Sequence, residues 1–252
     1  MTADPGSPGS PLWDPNAIPA ATVIPLREGR GGLEILMLRR DTDLAFAGGM
    51  WVFPGGRLDP EDYGAAGPST EPTAEEIEQA AKIAAQREAD EEAKLVLEPA
   101  TIRRWSQWTP PKAPVVEGLR SHRFSTAFFV GVAVGDTDAI TVDDGEIRDH
   151  SWVSPEEMLS RHSAADVVLA PPTFITLKQL EGNNNPAEVL MAAPKGIAEV
   201  EHFATRVGEI EDGWVALYHG DVAYEGGAVD SSGPKHRLTM NGTDWEYVRH
   251  GG

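Results

Sequence analysis

Within the stretch "AAQREADEEAKLVL" at residues 84–97, the glutamates Glu88, Glu91 and Glu92 fall within five positions of one another. At 3.6 residues per helical turn they share one side, with Glu88 and Glu92 about 6 Å apart along the axis. That side also carries Ala81, Ala84, Ala85 and Leu95, while Lys82, Gln86, Asp90 and Lys94 lie opposite. The acids therefore occupy the half of the helix that packs against protein, and a second polar half faces water. Carboxylates crowded there repel one another and lose solvation unless a cation or strong donors compensate. Their oxygens suit a hard divalent ion such as Mg2+, which keeps several waters and takes further ligands from substrate phosphates.

The surrounding elements must bring partners to those acids. "ATVIPLR" and "LEILMLRR" alternate as strands on either side of "EGRGG" and predict a hairpin with a glycine turn. This cluster lacks the Lys-Ser/Thr ending and strand-to-helix context of a phosphate-binding P-loop. "MWVFPGG" is a third short strand ending at Gly55 and Gly56, and a Pro-, Gly- and Asp-rich loop follows from Arg57 to about Pro72. Thr73 with Glu76 three positions on forms a capping box, so the acidic helix is expected from Ala74 to Lys94. "HRFSTAFFVGVAV" is a long strand with a bulge expected at Gly131, and "EIRDHSWV" is another strand. "SPEEMLSRH" opens a helix capped by Ser154, and "PPTFITLKQL" begins a further one. From Asn183 the texture changes to a linker-like stretch, an alternating "GWVALYHGDVAYEGG" and a hairpin around Asn241-Gly242.

The chain has 252 residues, 40% of them hydrophobic and 24% charged, in keeping with a globular protein of one domain plus an appendage. No apolar run reaches the ~18–20 residues of a membrane span. The Pro-, Gly- and Ser-rich start is expected to be a disordered arm without signal-peptide character, and a cytoplasmic location fits. The absence of cysteine removes disulfides, zinc ribbons and thiol nucleophiles. A formal charge of −19 argues against a nucleic-acid groove but allows a small phosphorylated substrate, because divalent ions can supply positive charge. The seven histidines show no zinc-binding spacing, and neither a Gly-x-Ser-x-Gly elbow nor a Gly-x-Gly-x-x-Gly fingerprint occurs. Trp105, Trp108 and Phe124 could stack on a base or belong to a core. Arg39, Arg40 and Arg57 flank the glycine loop, where they could meet phosphate or water alike.

"FPGGRLDPED" and "READEEAKL" together resemble the Nudix box, whose pattern is Gly-x5-Glu-x7-Arg-Glu-hydrophobic-x-Glu-Glu-x-Gly-hydrophobic. On that resemblance Gly56 is the opening glycine, Arg87 the box arginine, and Glu88, Glu91 and Glu92 the core acids. The family's acids hold divalent metals that bridge a diphosphate, and its arginine orients them by ion pairing. Three departures stand out. About seventeen extra residues precede Arg87, so Asp62 and Glu78 compete for the first acid. Lys94 replaces the final glycine, which implies a different helix ending. Ser125 stands where the branch containing the peroxisomal coenzyme A diphosphatases usually has the Asp of an Arg-Phe-Asp-Thr strand motif. That branch is otherwise suggested by "LMLRRDTDLAFAGGMWVFPGGRLDPED", "RFSTAFF" and "PPTFITLKQL", and an insertion inside the box is normal in it.

The resemblance implies an α/β fold, a Nudix-type α/β/α sandwich with a mixed sheet, followed by a small β-rich C-terminal appendage. The expected divisions are a disordered arm over 1–18, a Nudix hydrolase domain over 19–182 and the appendage over 183–252. The implied activity is Mg2+- or Mn2+-dependent hydrolysis of a nucleoside diphosphate linked to a moiety X, with coenzyme A or acyl-coenzyme A as X-bearing substrate. ADP-ribose or dinucleotide cleavage, or a non-catalytic sensor or interaction module, are the alternatives. Glu88, Glu91 and Glu92 are the expected metal ligands; Glu88, Glu91, Arg87 and Glu146 the catalytic set; and Arg39, Arg57, Gly55 and Gly56 the substrate-binding set. Asp143 and Asp144 compete with Glu146 for the role of an acid outside the box. Neither nucleic acid nor membrane is an expected partner, and a homodimer is one assembly the sequence allows.

Overall fold

The computed structural model describes residues 12–42, 47–112, 123–142 and 145–250. The first hairpin joins β1 (Ile18–Gly29) to β2 (Gly32–Arg40), in register from Leu26 opposite Ile35 to Gly29 opposite Gly32. Two short strands follow, β3 (Trp51–Val52) beside β2 and β4 (Gly55–Arg57) beside β1. A 3-10 turn at Pro60–Tyr63 leads through the loop to helix α1 (Ala74–Ala93). Its capping box forms as expected: Thr73 Oγ1 accepts from the Glu76 amide at 3.2 Å, and Glu76 Oε2 accepts from the Thr73 amide at 2.7 Å.

Then come β5 (Val96–Leu97), β6 (Arg103–Thr109), β7 (Phe124–Val134) and β8 (Ile147–Val153), with helices α2 (Pro155–Ser163), α3 (Pro171–Leu180) and α4 (Pro186–Ala192). The main sheet runs β3-β2-β1-β7-β6-β9, where β9 is Glu201–Ala204; β4, β5 and β8 pair with β1, β7 and β2. It is mixed, since β1 runs parallel to β7 and β6 parallel to β9, while its other pairings are antiparallel. Strand alternation sorts its two faces cleanly. Ala21, Val23, Leu36, Leu38, Ala127 and Phe129 face α1, whereas Ile24, Leu26, Ile35, Met37, Phe128 and Val130 face α2 and α3. This is the α/β/α sandwich with a mixed sheet.

The C-terminal segment adds a four-stranded antiparallel sheet of β10 (Arg206–Ile210), β11 (Gly213–Leu217), β12 (Lys235–Asn241) and β13 (Asp244–His250). It packs on the α2/α3 side, where Ala216, Tyr218 and Leu238 join the same core as Trp108, Phe128 and Phe203. Strand β9, between 183 and this sheet, belongs to the main sheet. The run "GDVAYEGG" is turns rather than strand, its Asp221 carboxylate held by Arg237.

Expectations also fail at Gly131 and at the N-terminus. The register shift lies in β6 between Arg104 and Ser106, and Gly131 stays in regular ladder opposite Pro25, packing near Ile102 and Leu97. The disordered arm expected over 1–18 does not extend through its last residues: Trp13 and Asp14 are buried, and Asp14 pairs with Arg123 at 2.6 Å. Tryptophan supplies enough apolar area to dock a segment of otherwise turn-like composition. Residues 1–11 lie outside the described residues. Among the described residues no helix is long and apolar enough to cross a membrane.

Candidate active site

Helix α1 meets the sheet through Ala81, Ala84, Ala85, Ala89 and Ala93, all fully buried. Alanine costs little helix propensity and keeps the helix close to the strands beneath it. Close approach sets Glu88 and Glu92 against β4. A Cβ added to Gly56 would lie 2.3 Å from Glu88 Oε1, so only glycine leaves room for that carboxylate. The Gly55 amide donates to Glu92 Oε2 at 3.0 Å. A Cβ at Gly55 would strike Thr22 and the Ala21 carbonyl of β1. The two glycines of the expected substrate-binding set thus make their contacts with the acids.

Arg87 organises the rest. Its Nη1 donates to Glu88 Oε1 and to Glu91 Oε2, each at 2.8 Å. Its Nε and Nη2 grip the Asp62 carboxylate at 3.1 and 2.9 Å, and Nη2 also reaches the Arg57 carbonyl at 3.1 Å. All five guanidinium hydrogens are thereby used. Asp62 is 2% exposed and its Oδ2 accepts the Asp59 amide at 2.8 Å, so the 3-10 turn itself presents the acid. Of the two contenders for the first acid, Asp62 is the one brought to Arg87. Glu78 points elsewhere, 3.2 Å from Arg104 Nε.

The electrostatics follow from burial. Desolvation pushes the Glu92 carboxyl up to about 8; the Gly55 amide opposes this, Glu88 adds to it, Arg40 opposes it and Glu146 adds to it. Desolvation likewise raises Glu88, against the pull of Arg87 and with further push from Glu91 and Asp59. Glu91, 54% exposed, stands at the rim. The acids turn onto guanidinium and amide donors, and among the described residues no three Asp, Glu or His groups converge as a closed coordination set. Their chemistry nevertheless fits a hard divalent cation, whose charge would favour ionisation of the two desolvated carboxyls one turn apart, with a third at the rim.

Of the expected arginines, Arg39 lies 3.8 Å from Asp149 on the neighbouring strand, away from the acids. Arg40 takes the place beside them, its Nη1 3.9 Å from Glu92 Oε1 and its Nη2 3.0 Å from Glu146 Oε2. Alternation along β2 sets this choice, since Arg40 follows Leu36 and Leu38 to the α1 face and Arg39 follows Ile35 and Met37 to the other. Glu146 therefore does come to the site's edge, whereas Asp143 and Asp144 lie outside the described residues. The Arg57 side chain is exposed and pairs with Asp59 at 3.2 Å.

Ser125 is fully buried and accepts from Gln107 Nε2 at 2.7 Å. Trp108 belongs to the core, stacked on Phe203 at 4.0 Å, and Trp105 donates to Gln179.

The NUDIX domain profile matches residues 17–171. The chain is 27% identical over 125 residues to acyl-coenzyme A diphosphatase NUDT19 of Xenopus laevis, covering 49% of this chain and 32% of that protein. It is 25% identical over 232 residues to the Gallus gallus protein of the same name, covering 87% of this chain and 58% of that one. The matches thus span less than two thirds of these relatives' own length. Among solved structures, a NUDIX hydrolase from Alicyclobacillus acidocaldarius superposes with a TM-score of 0.57 at 22% identity, over 72% of this chain and 98% of its own. That likeness supports the fold.

Proposed function

The chain belongs to the Nudix family, and from that premise we propose that it is a hydrolase cutting the diphosphate of a nucleoside diphosphate linked to a further moiety. The observation that carries this reading is the pair Glu88 and Glu92, desolvated on the protein side of α1 with Arg87 fully engaged below them. Such placement costs stability, which a helix at this surface would avoid by turning its acids to water.

Glu88, Glu91 and Glu92 would hold Mg2+ or Mn2+. When bound, such an ion polarises the diphosphate and lowers the pKa of the attacking water. Arg87 keeps Glu88 and Glu91 turned toward each other and ties the helix to Asp62. With Oε2 of Glu146 engaged by Arg40, Oε1 is the oxygen that takes the proton from water as its oxygen adds to one phosphorus. The bridging oxygen leaves with the other phosphorus, and two phosphomonoesters result. Arg57, whose side chain is exposed and pairs with Asp59, is the side chain offered to substrate phosphate.

Coenzyme A or an acyl-coenzyme A is the substrate we favour, because the two animal relatives bear the name acyl-coenzyme A diphosphatase. The test is kcat/KM for coenzyme A, an acyl-coenzyme A, ADP-ribose and a dinucleotide, each with Mg2+ and Mn2+. The highest value is expected for a coenzyme A species. A large preference for ADP-ribose overturns the substrate, and no turnover on any member overturns the hydrolase reading.

A further inference from the structure

Arg40 lies outside the box, yet it is shared between acids from two separate elements. Its Nη2 donates to Glu146 Oε2 at 3.0 Å, and its Nη1 lies 3.9 Å from Glu92 Oε1 on α1. Its side chain is only 17% exposed, and its Nε is buried without a hydrogen-bond partner. The backbone around it is fixed on both sides: the Arg40 amide donates to the Met50 carbonyl at 3.0 Å, and the Gly49 amide donates to the Arg40 carbonyl at 3.1 Å. The next residue continues the attachment, because the Asp41 amide donates to the Glu146 carbonyl at 2.8 Å and the Asp41 carboxylate pairs with Arg148.

We propose that Arg40 is a positioning residue that holds the Glu146 carboxylate beside Glu92, and that the turn before β8 reaches the site through it. The inference rests on the hydrolase reading for its catalytic consequence but not for its geometry. Glu146 is about half exposed, and a carboxylate there repels the ionised form of Glu92. Repulsion alone would swing it outward. A guanidinium between the two groups reverses that tendency, and its planar fork fixes direction as well as distance. With its carboxylate half in water, the pair adds little to stability. Its consequence is where one carboxylate stands, and a displacement near 1 Å can cost about 10²-fold in rate.

The experiment compares the parent with R40M, R40K, E146Q and R40M/E146Q, using coenzyme A or whichever diphosphate the parent cleaves with Mn2+. The kcat of R40M is expected to fall tenfold to about 10²-fold, with KM little changed and R40K recovering part of the loss. The double variant should be no slower than E146Q alone, since a base already removed cannot be misplaced. Amide exchange is read in parallel and needs no activity. The Asp41 amide should exchange faster in R40M, while the amides of α1 stay as in the parent. Losses that multiply in the double variant, a raised KM at unchanged kcat, or an Asp41 amide unaffected by R40M each overturn the proposal. A parent inactive on every diphosphate defeats the hydrolase reading instead, and the exchange result then decides the positioning alone.

Discussion

Burial acts in opposite directions on the acids of α1 and on the histidines of the far face, because it disfavours whichever form is charged. On the α1 face Glu88 and Glu92 lie among buried alanines, and desolvation drives Glu92 up to about 8. On the far face, where the C-terminal sheet docks, His236 sits among Phe203, Tyr218 and Tyr247, and desolvation drives it down to about 4. His162 is lowered by the same cause between Phe174 and Trp245. His236 is well served as a neutral ring: Nδ1 donates to the His219 carbonyl at 2.8 Å, leaving Nε2 to accept from the Tyr247 hydroxyl at 3.0 Å. Glu201 lies 3.7 Å from that Nε2, but its firmer partner is Arg249 at 2.6 Å, so the histidine remains neutral. A neutral, hydrogen-bonded ring is a packing element. A desolvated carboxylate beside another carboxylate is a cost, and that cost supports the proposal that the site lies on the α1 face.

The largest effect should come from Glu92→Gln. Turnover is expected to fall by at least about 10²-fold, on the scale of losing an essential acid–base group. Stability of the metal-free protein should move the other way. A carboxyl raised in the folded state contributes stability below its unfolded value near 4.5, and that contribution is lost as pH rises toward 8. Between pH 6.5 and 8 the parent should therefore weaken with rising pH, by at most about 1.4 kcal/mol per pH unit for this one group. The glutamine variant should show a shallower slope and a higher melting temperature. Retained activity in this variant would sink the assignment of Glu92.

Arg87→Ala should lose on both counts. It strips the Asp62 carboxylate, 2% exposed, of its two-pronged partner. Removing one member of a buried pair costs about 3–5 kcal/mol, and with Arg87 and Glu91 partly in water about 3 kcal/mol is expected. Urea unfolding measures it. A variant as stable as the parent would mean that Asp62 finds another donor.

The histidine face supplies the opposite limb. A histidine lowered in the folded state contributes stability above its unfolded value near 6.5, and that contribution is lost as pH falls toward 4. Between pH 6.5 and 4.5 this opposes the Glu92 contribution, so the acid limb is best read in the Glu92→Gln background. There the unfolding free energy should drop on acidification, on the order of 2 kcal/mol from His236. Adding His236→Gln should shrink the drop by that amount, leaving the share of His202, which desolvation also lowers to about 4. An unchanged slope would place the acid sensitivity in other groups.

Much of this was legible in the sequence because it is local. The helical wheel put Glu88 and Glu92 against protein, the Thr73–Glu76 box marked where α1 begins, and alternation marked the strands. Contacts that close across the chain were not. Asp62 reaches Arg87 over a loop whose length hid the pairing. Arg40 rather than Arg39 faces the acids by the same alternation that puts Leu36 and Leu38 on the α1 face, but its meeting with Glu146 closes across 106 positions. The parallel docking of β9 on β6 is a long-range choice, and Trp13 anchors a segment whose Pro and Gly content suggested an unattached arm.

Lys94 gives the smallest effect and the sharpest departure from expectation. The sequence implied that a helix lacking the final glycine must end differently, yet Lys94 adopts the left-handed conformation itself, at φ 51° and ψ 33°. Its amide donates to the carbonyls of Ala89 and Asp90, and the Leu95 amide donates to Ala89 at 3.1 Å, so the wrap that closes a glycine-ended helix is intact. The burial of Ala93 and Leu95 on either side fixes the chain path and imposes that conformation. A side chain there costs about 1–2 kcal/mol. Glycine would remove this but lose about 0.5–1 kcal/mol to its freer unfolded chain. The exposed Lys94–Asp90 pair at 3.5 Å would also go, at a cost of a few tenths. Lys94→Gly should then stabilise by about 0.5 kcal/mol, a rise of roughly 1–2 °C in Tm for a chain of this size. Lys94→Ala keeps the strain and loses the pair, so it should not stabilise. A glycine variant melting below the alanine one would show that the left-handed turn costs this helix nothing.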